Sequence, residues 1–249
     1  MRRPIIAGNW KMFKNAKETR AMLTELIPLV KGAAEREIVI FPPYINIESA
    51  VSVCKGSNIK IGSQNIFWEE KGAFTGEIAP NMIKDNGCEY AIIGHSERRR
   101  YFNETDETVN KKLLAALKAG LIPIVCVGEM LSERESNKTF DVIEKQLKGG
   151  LKGLSKEESL KVVIAYEPVW AIGTGKTASP AQAQEAHSFI RKQLESLFGK
   201  ETAASTRILY GGSVKGDNIK ELMSQTDVDG GLVGGASLEA ASFAKIVNF

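Results

Sequence analysis

Apolar residues gather in short continuous runs: Ile5-Ile6-Ala7, Ile38-Val39-Ile40-Phe41, Ile59-Lys60-Ile61-Gly62, Ala91-Ile92-Ile93, residues 122–127, Val162-Val163-Ile164-Ala165, Ile208-Leu209-Tyr210 and Gly231-Leu232-Val233. These eight runs predict eight strands. Most are continuously apolar rather than alternating, the pattern of a parallel sheet covered by helices on both faces. Between them the apolar spacing changes to a helical period, as in Val109, Leu113 and Leu117, or Ala183, Ala186, Ile190, Leu194 and Leu197. Start signals agree with that phase. Ser179-Pro180 places a capping residue before a proline suited to the first helical position, and Ser155 with Glu158 has capping-box spacing.

Strand-helix alternation runs the whole length with no Pro- or Ser-rich linker, which predicts one α/β domain over residues 1–249. Eight βα units admit a closed barrel or an open doubly wound sheet. Length and unit count favour the (β/α)8 barrel. The glycine fingerprint of the open fold is also missing, because Gly173-Thr174-Gly175 is followed by Ala178 where a third glycine belongs.

Composition excludes other classes without choosing the fold. With 43% apolar and 25% charged residues, the chain is ordinary globular material. A formal charge of +3 is too balanced to hold a nucleic-acid backbone by field alone, so an anionic partner is expected to be small. The longest uncharged stretches, 38–47 and 119–128, are about half the length that spans a bilayer, so no membrane association is expected. No secretory leader is visible at the N-terminus. Cys54, Cys88 and Cys126 are scattered, with no CxxC pair, and the expected location is a reducing cytoplasm. The sequons at Asn103 and Asn137 then read as chance matches.

The unusual polar residues fall at the carboxyl ends of the strands. Asn9 and Lys11 follow strand one, His95 follows strand four and Glu167 follows strand six. In a barrel those ends gather on one face, where active sites are built. Glu167 interrupts the run Ala165-Tyr166-Glu167-Pro168-Val169-Trp170, and a carboxylate in such company needs a partner or a raised pKa. A nearby Lys11 would pull the other way. His95 stands where a helix begins, whose positive end disfavours imidazolium, so a neutral ring donating a hydrogen bond is expected. His187 lies beside the apolar stripe of a helix and reads as structural.

Glycine pairs at Gly211-Gly212-Ser213 and Gly234-Gly235-Ala236 follow strands seven and eight, where barrels often hold phosphate on main-chain N–H groups. Pro168, Val169, Trp170, Ala171, Ile172, Gly173, Thr174, Gly175, Lys176 and Thr177 have bulky residues at the start and small ones at the tip, a composition suited to a lid. Gly175-Lys176-Thr177 imitates the end of a P-loop, but Trp170 stands where that motif needs glycine. His95-Ser96-Glu97 echoes the H-x-E of zinc deaminases, yet no P-C-x-x-C follows, and no metal is expected with two histidines in the chain.

Together, Asn9-Trp10-Lys11, Gly94-His95-Ser96-Glu97-Arg98-Arg99, the run 165–170, the lid, Tyr210-Gly211-Gly212-Ser213 and the run 231–236 resemble the motifs of the triosephosphate isomerases over essentially the whole chain. The resemblance implies a single-domain TIM barrel and a cofactor-free aldose-ketose isomerisation of dihydroxyacetone phosphate and D-glyceraldehyde 3-phosphate, serving glycolysis, gluconeogenesis and the pentose shunt. It implies Glu167 as the base, His95 and Lys11 as stabilisers of an enediolate with Asn9 beside them, and Glu97 as the residue orienting Lys11. Gly173, Ser213, Gly234 and Gly235 would then contact phosphate. It also implies a homodimer, in which the segment 64–77 with Phe74 and Thr75 inserts beside the partner's active site. Two other classes remain: a phosphate-metabolite binding protein without chemistry, and a Schiff-base aldolase, which would need a desolvated lysine where strand six offers Glu167.

Overall fold

The structure is a computed structural model that describes residues 2–172 and 177–249. Its elements are β1 (Ile5–Asn9), α1 (Ala16–Val30), β2 (Glu37–Phe41), α2 (Ile47–Cys54), β3 (Ile59–Ser63), α3 (Pro80–Asp85), β4 (Tyr90–Ile93), α4 (Ser96–Tyr101), α5 (Asp106–Lys118) and β5 (Ile122–Val127). There follow α6 (Leu131–Glu135), α7 (Thr139–Gly150), α8 (Lys156–Ser159), β6 (Val163–Tyr166), α9 (Pro180–Phe198), α10 (Lys200–Ser205), β7 (Ile208–Tyr210), α11 (Ile219–Met223), β8 (Gly230–Val233) and α12 (Ala240–Val247). The strands pair in parallel in sequence order and β8 returns to β1, closing the barrel. Each apolar run predicted from the sequence is one of these strands, shifted by a residue or two at its ends.

Closure explains why the runs are continuous. One phase of each strand fills the interior, with Ile5, Ala7, Val39, Phe41, Tyr90, Ile92, Ile124, Cys126, Val163, Ala165, Leu209 and Leu232 in mutual contact. The other phase, including Ile6, Ile38, Ile40, Ile93, Val125, Ile164 and Ile208, packs outward against helix residues such as Leu23, Leu26, Leu113, Ile190 and Phe243. Both phases are covered over most of their length, so both are apolar there, and the charged strand residues Glu37 and Lys60 pair with each other at the amino-terminal end.

The helices begin where the caps predict. Ser179 Oγ accepts from Gln182 N at the start of α9, and Ser155 Oγ from Glu158 N at the start of α8. Ala183, Ala186, Ile190 and Leu194 are buried on α9, whereas Leu197 is 38% exposed. The 19 residues of α9 make a helix about 28 Å long, so its last turn outruns the short strands it covers.

Candidate active site

The first wall of the site is the turn after β1. Trp10 is buried and its indole donates to Ser237 O at 3.0 Å, anchoring the turn across the β1–β8 seam. Lys11 has φ of +52°, in the left-handed region that costs a side-chain-bearing residue on the order of 1–3 kcal/mol. Two bonds hold it there, and a third anchors the side chain that makes one of them. Asn9 Oδ1 accepts from Lys11 N at 3.0 Å, and Gln64 Nε2 donates to Lys11 O at 2.8 Å and to Phe41 O at 2.9 Å. The ammonium meets Glu97 Oε1 at 2.6 Å, with Lys11 25% and Glu97 39% exposed. An ion pair so open to solvent adds little stability; its effect is to place the ammonium.

The second wall comes from the ends of β4 and β6. Gly94 has φ of +70°, which lets the chain leave β4 sharply and set His95 at the N-cap of α4. Glu97 N donates to His95 Nδ1 at 3.2 Å, so Nδ1 presents its lone pair and the ring proton resides on Nε2. His95 Nε2 lies 2.9 Å from Glu167 Oε1. Burial pulls the His95 pKa down, and the facing carboxylate outweighs it and moves it up. That upward pull lasts only while Glu167 stays beside the ring, and a second proton would have to displace the Glu97 N–H. The Nδ1 contact agrees with the neutral donor expected from the sequence, while the facing carboxylate pulls the ring toward imidazolium.

Glu167 is 2% exposed. Ser96 N donates to its Oε2 at 2.9 Å and Ser96 Oγ to its Oε1 at 3.3 Å, beside the hydrogen bond from His95. Burial acts to raise its pKa, but His95, the Ser96 N–H and the Cys126 thiol together hold it below the ordinary carboxylate range. The compensation thus comes from neutral donors and the imidazole. The pull anticipated from Lys11 is spent on Glu97 instead.

The walls enclose a cavity of about 290 Å³ lined by Asn9, Lys11, His95, Glu167, Ile172, Ser213, Gly234 and Gly235 among others. Its far side carries four glycines, Gly211, Gly212, Gly234 and Gly235, among Ser213, Val214, Lys215, Leu232 and Ala236. A Cβ on Gly212 would sit 2.3 Å from Tyr210 Oη, and one on Gly211 2.9 Å from Glu167 Cγ, so both positions exclude side chains. Asn218 braces the Ser213 turn, donating to Ser213 O at 3.0 Å and accepting from Lys215 N at 2.8 Å. The arrangement can therefore present a carboxylate, a neutral imidazole N–H and an ammonium to one end of a small molecule, and peptide groups to an anion at its other end.

Of the predicted catalytic residues, Asn9, Lys11, His95 and Glu167 line the cavity, as do Ser213, Gly234 and Gly235, whereas Glu97 stands outside it and reaches it only through Lys11. Gly173, Thr174, Gly175 and Lys176 lie outside the described residues. Of the remaining lid residues, Val169, Trp170 and Ala171 form one 3-10 turn. Phe74 is 44% exposed and Thr75 is exposed beside it, while Phe67 stacks on Trp68 and tilts against Phe74. His187 is fully buried, with Nδ1 3.1 Å from Asp227 O, away from the cavity.

Sequence reasoning missed Ser96, Gln64, Asn218 and Glu129. Glu129 is fully buried and accepts from Trp170 Nε1 at 2.9 Å and Tyr166 OH at 3.2 Å, while its main-chain oxygen accepts from Val169 N at 3.1 Å. It ties down the first part of the lid. A glutamate one residue beyond the apolar run 122–128 was the available signal, of the same kind that exposed Glu167. Among the described residues, no group of three metal-ligating side chains converges, and no helix is long and apolar enough to cross a membrane.

Comparison with known proteins points one way. Residues 4–249 match the family model described as triosephosphate isomerase. The chain is 60% identical to the triosephosphate isomerase of Moorella thermoacetica over 249 residues, covering all of this chain and 99% of the relative. It is 59% identical to that of Caldanaerobacter subterraneus subsp. tengcongensis, covering both chains fully. The crystal structure of triosephosphate isomerase from Bartonella henselae superposes with a TM-score of 0.89 at 41% identity, covering 99% of this chain and 98% of that one.

Proposed function

The chain belongs to the triosephosphate isomerase family, and we propose that it interconverts dihydroxyacetone phosphate and D-glyceraldehyde 3-phosphate through an enediolate. The observation that carries this reading is the contact of Glu167 Oε1 with His95 Nε2 at 2.9 Å on the wall of a cavity shared with Lys11. Substrate entering between them takes over the His95 N–H and frees the carboxylate. Glu167 then removes a proton from the hydroxyl-bearing carbon, the electron pair moves into the carbonyl, and the enediolate oxygens rest on His95 and Lys11. The hydroxyl proton passes from the first oxygen to the former carbonyl oxygen through the His95 ring beside both, and the same carboxylic acid returns a proton to the adjacent carbon as the new carbonyl forms, so nothing is consumed and the steps call on no cofactor or metal.

Neither wall suffices alone. A positioned base is worth roughly 10²–10⁴-fold, and a preorganised donor at the developing oxyanion about 3–4 kcal/mol. Asn9 and Glu97 act by placing Lys11. Ser213, Gly234 and Gly235, with Gly173 from the lid, hold the phosphate, and closure of the segment 168–177 excludes water from the enediolate.

Exposed apolar side chains support a homodimer. Met12 and Phe13 after β1, Ile45 after β2, Phe74 after β3, and Tyr101 and Phe102 after α4 are all at least 44% exposed. They follow four consecutive strands, and exposed apolar side chains grouped in this way mark an interaction surface. Sedimentation at micromolar concentration is expected to give twice the chain mass; a single-chain mass refutes the dimer. The proposed location is the cytoplasm. For the activity itself, a coupled assay with glyceraldehyde 3-phosphate should show turnover that Glu167→Gln abolishes while inorganic phosphate still binds, and unchanged turnover in that variant would overturn the assignment.

A further inference from the structure

We propose that Gln146, on α7 and outside the substrate cavity, is a positioning residue for the base: its side-chain amide replaces a missing peptide group of β4 and holds the main-chain shelf on which Glu167 rests. The inference rests on the isomerase reading and deepens it.

Pairing between β4 and β5 ends at Ile93–Val125, whereas pairing between β5 and β6 continues to Val127–Tyr166. Beyond Val125 the β4 side of β5 thus has no strand partner. In a parallel ladder each residue directs its N–H and C=O to one neighbour, and side chains fill the gap. Arg99 donates to Gly94 O at 3.0 Å and to Cys126 O at 3.4 Å. Gln146 does more. Its Oε1 accepts from Gly128 N at 2.7 Å and its Nε2 donates to Gly128 O at 3.1 Å. Only a primary amide carries the donor and the acceptor that this pair of bonds needs.

Gly128 sits directly under the base. A Cβ there would lie 1.8 Å from Glu167 O and 3.2 Å from Glu167 Cα, so the two main chains are in contact. On either side, Glu167 N donates to Val127 O at 2.8 Å and Val169 N to Glu129 O at 3.1 Å. Residues 127–129 are therefore the template for the backbone of 167–169. What lies behind that template is not packed core. A second cavity of about 380 Å³, lined by Ser96, Cys126, Gly128, Gln146, Glu167 and Val169 among others, backs directly onto it. With a void there, the Gln146 amide is what holds residue 128 from the cavity side, beside the main-chain bonds of Val127 and Glu129 to the 167–169 segment. Misplacement of a catalytic group by about 1 Å costs on the order of 100-fold, and a partial loosening is expected to cost about tenfold.

The test is Gln146→Leu, which keeps side-chain volume and removes both bonds, with Gln146→Glu beside it, which keeps the length and the bond to Gly128 N. The expected result is kcat lowered by about tenfold in Gln146→Leu, with KM and the inhibition constant of inorganic phosphate within about twofold of the unmodified chain. That split is expected because Ser213, Gly234 and Gly235 lie on the opposite wall. A merely structural role would move kcat and phosphate affinity together, or move neither while lowering the melting temperature; either result overturns the proposal. If Gln146→Leu does not fold, the same split in Gln146→Glu decides. An unmodified chain without isomerase turnover defeats the isomerase reading instead, which keeps the two failures apart.

Discussion

Each end of the barrel holds a buried glutamate, Glu37 at the amino-terminal end and Glu167 at the carboxyl-terminal end, 7% and 2% exposed. Both carboxyls are held below the ordinary range. They differ in what compensates them. Glu37 is surrounded by fixed partners, with Tyr90 OH at 2.5 Å, Lys60 Nζ at 2.7 Å and Arg207 Nη1 at 2.7 Å, and two of these are cations. Burial alone would raise its pKa; these partners outweigh burial and bring it to about 2. Glu167 is held by a main-chain N–H, a hydroxyl, a thiol and an imidazole, and it opens on a cavity. A carboxylate ringed by fixed cations is locked, whereas one held by the His95 ring first and by neutral donors after it can exchange them for substrate. Burial and a shifted pKa therefore do not identify a base; the replaceability of its partners does.

The sharpest way to break this contrast is to remove each charge in turn. Glu167→Gln is expected to lower kcat by 10³-fold or more, roughly the contribution of a positioned base, while unfolding free energy stays level or rises, as happens when a buried functional charge is removed. Glu37→Gln should do the reverse. Turnover stays within about threefold, and urea unfolding reveals a loss of about 3 kcal/mol, because Lys60 and Arg207 lose their counter-charge. A turnover loss in Glu37→Gln comparable to that in Glu167→Gln would erase the distinction between the two ends.

Acid titration of stability sharpens it further. Burial of His187 lowers its pKa from 6.5 to about 4, so the unfolded chain binds that proton first and stability falls as pH drops through this window. Glu37 titrates at 4.5 when unfolded and about 2 when folded, so its contribution is intact above pH 4.5 and is lost as pH falls toward 2. Each step is worth about 3 kcal/mol at 1.36 kcal/mol per pKa unit. Denaturant unfolding across pH 7 to 2 should show both losses, and Glu37→Gln should shrink only the lower one, to which Glu167 and Asp227, also held below the ordinary range, contribute as well. A single loss centred on one pH in the unmodified chain would contradict these assignments.

Much of the fold was legible along the chain because strand and helix periods are local. The eight apolar runs, the caps at Ser155 and Ser179 and the motif positions at strand ends all survive folding with small shifts. Glu167 was legible because it breaks an apolar run, and His95 because it stands at a helix start. Leu197 keeps the helical period the spacing predicts and is nonetheless exposed, since periodicity does not say how far a helix extends beyond the sheet beneath it.

The sequence by itself determined the order and phase of the elements, and through them that Asn9, Lys11, His95 and Glu167 share one end of the barrel. Only the tertiary structure decided which donor serves which acceptor around the base: that Ser96 and Cys126 hold Glu167, and that Gln146 stands in for a strand that has ended. The physical reason is range. Burial pattern depends on a residue and its near neighbours in the chain, whereas a hydrogen bond depends on distances of tenths of an ångström between groups brought together only when the barrel closes.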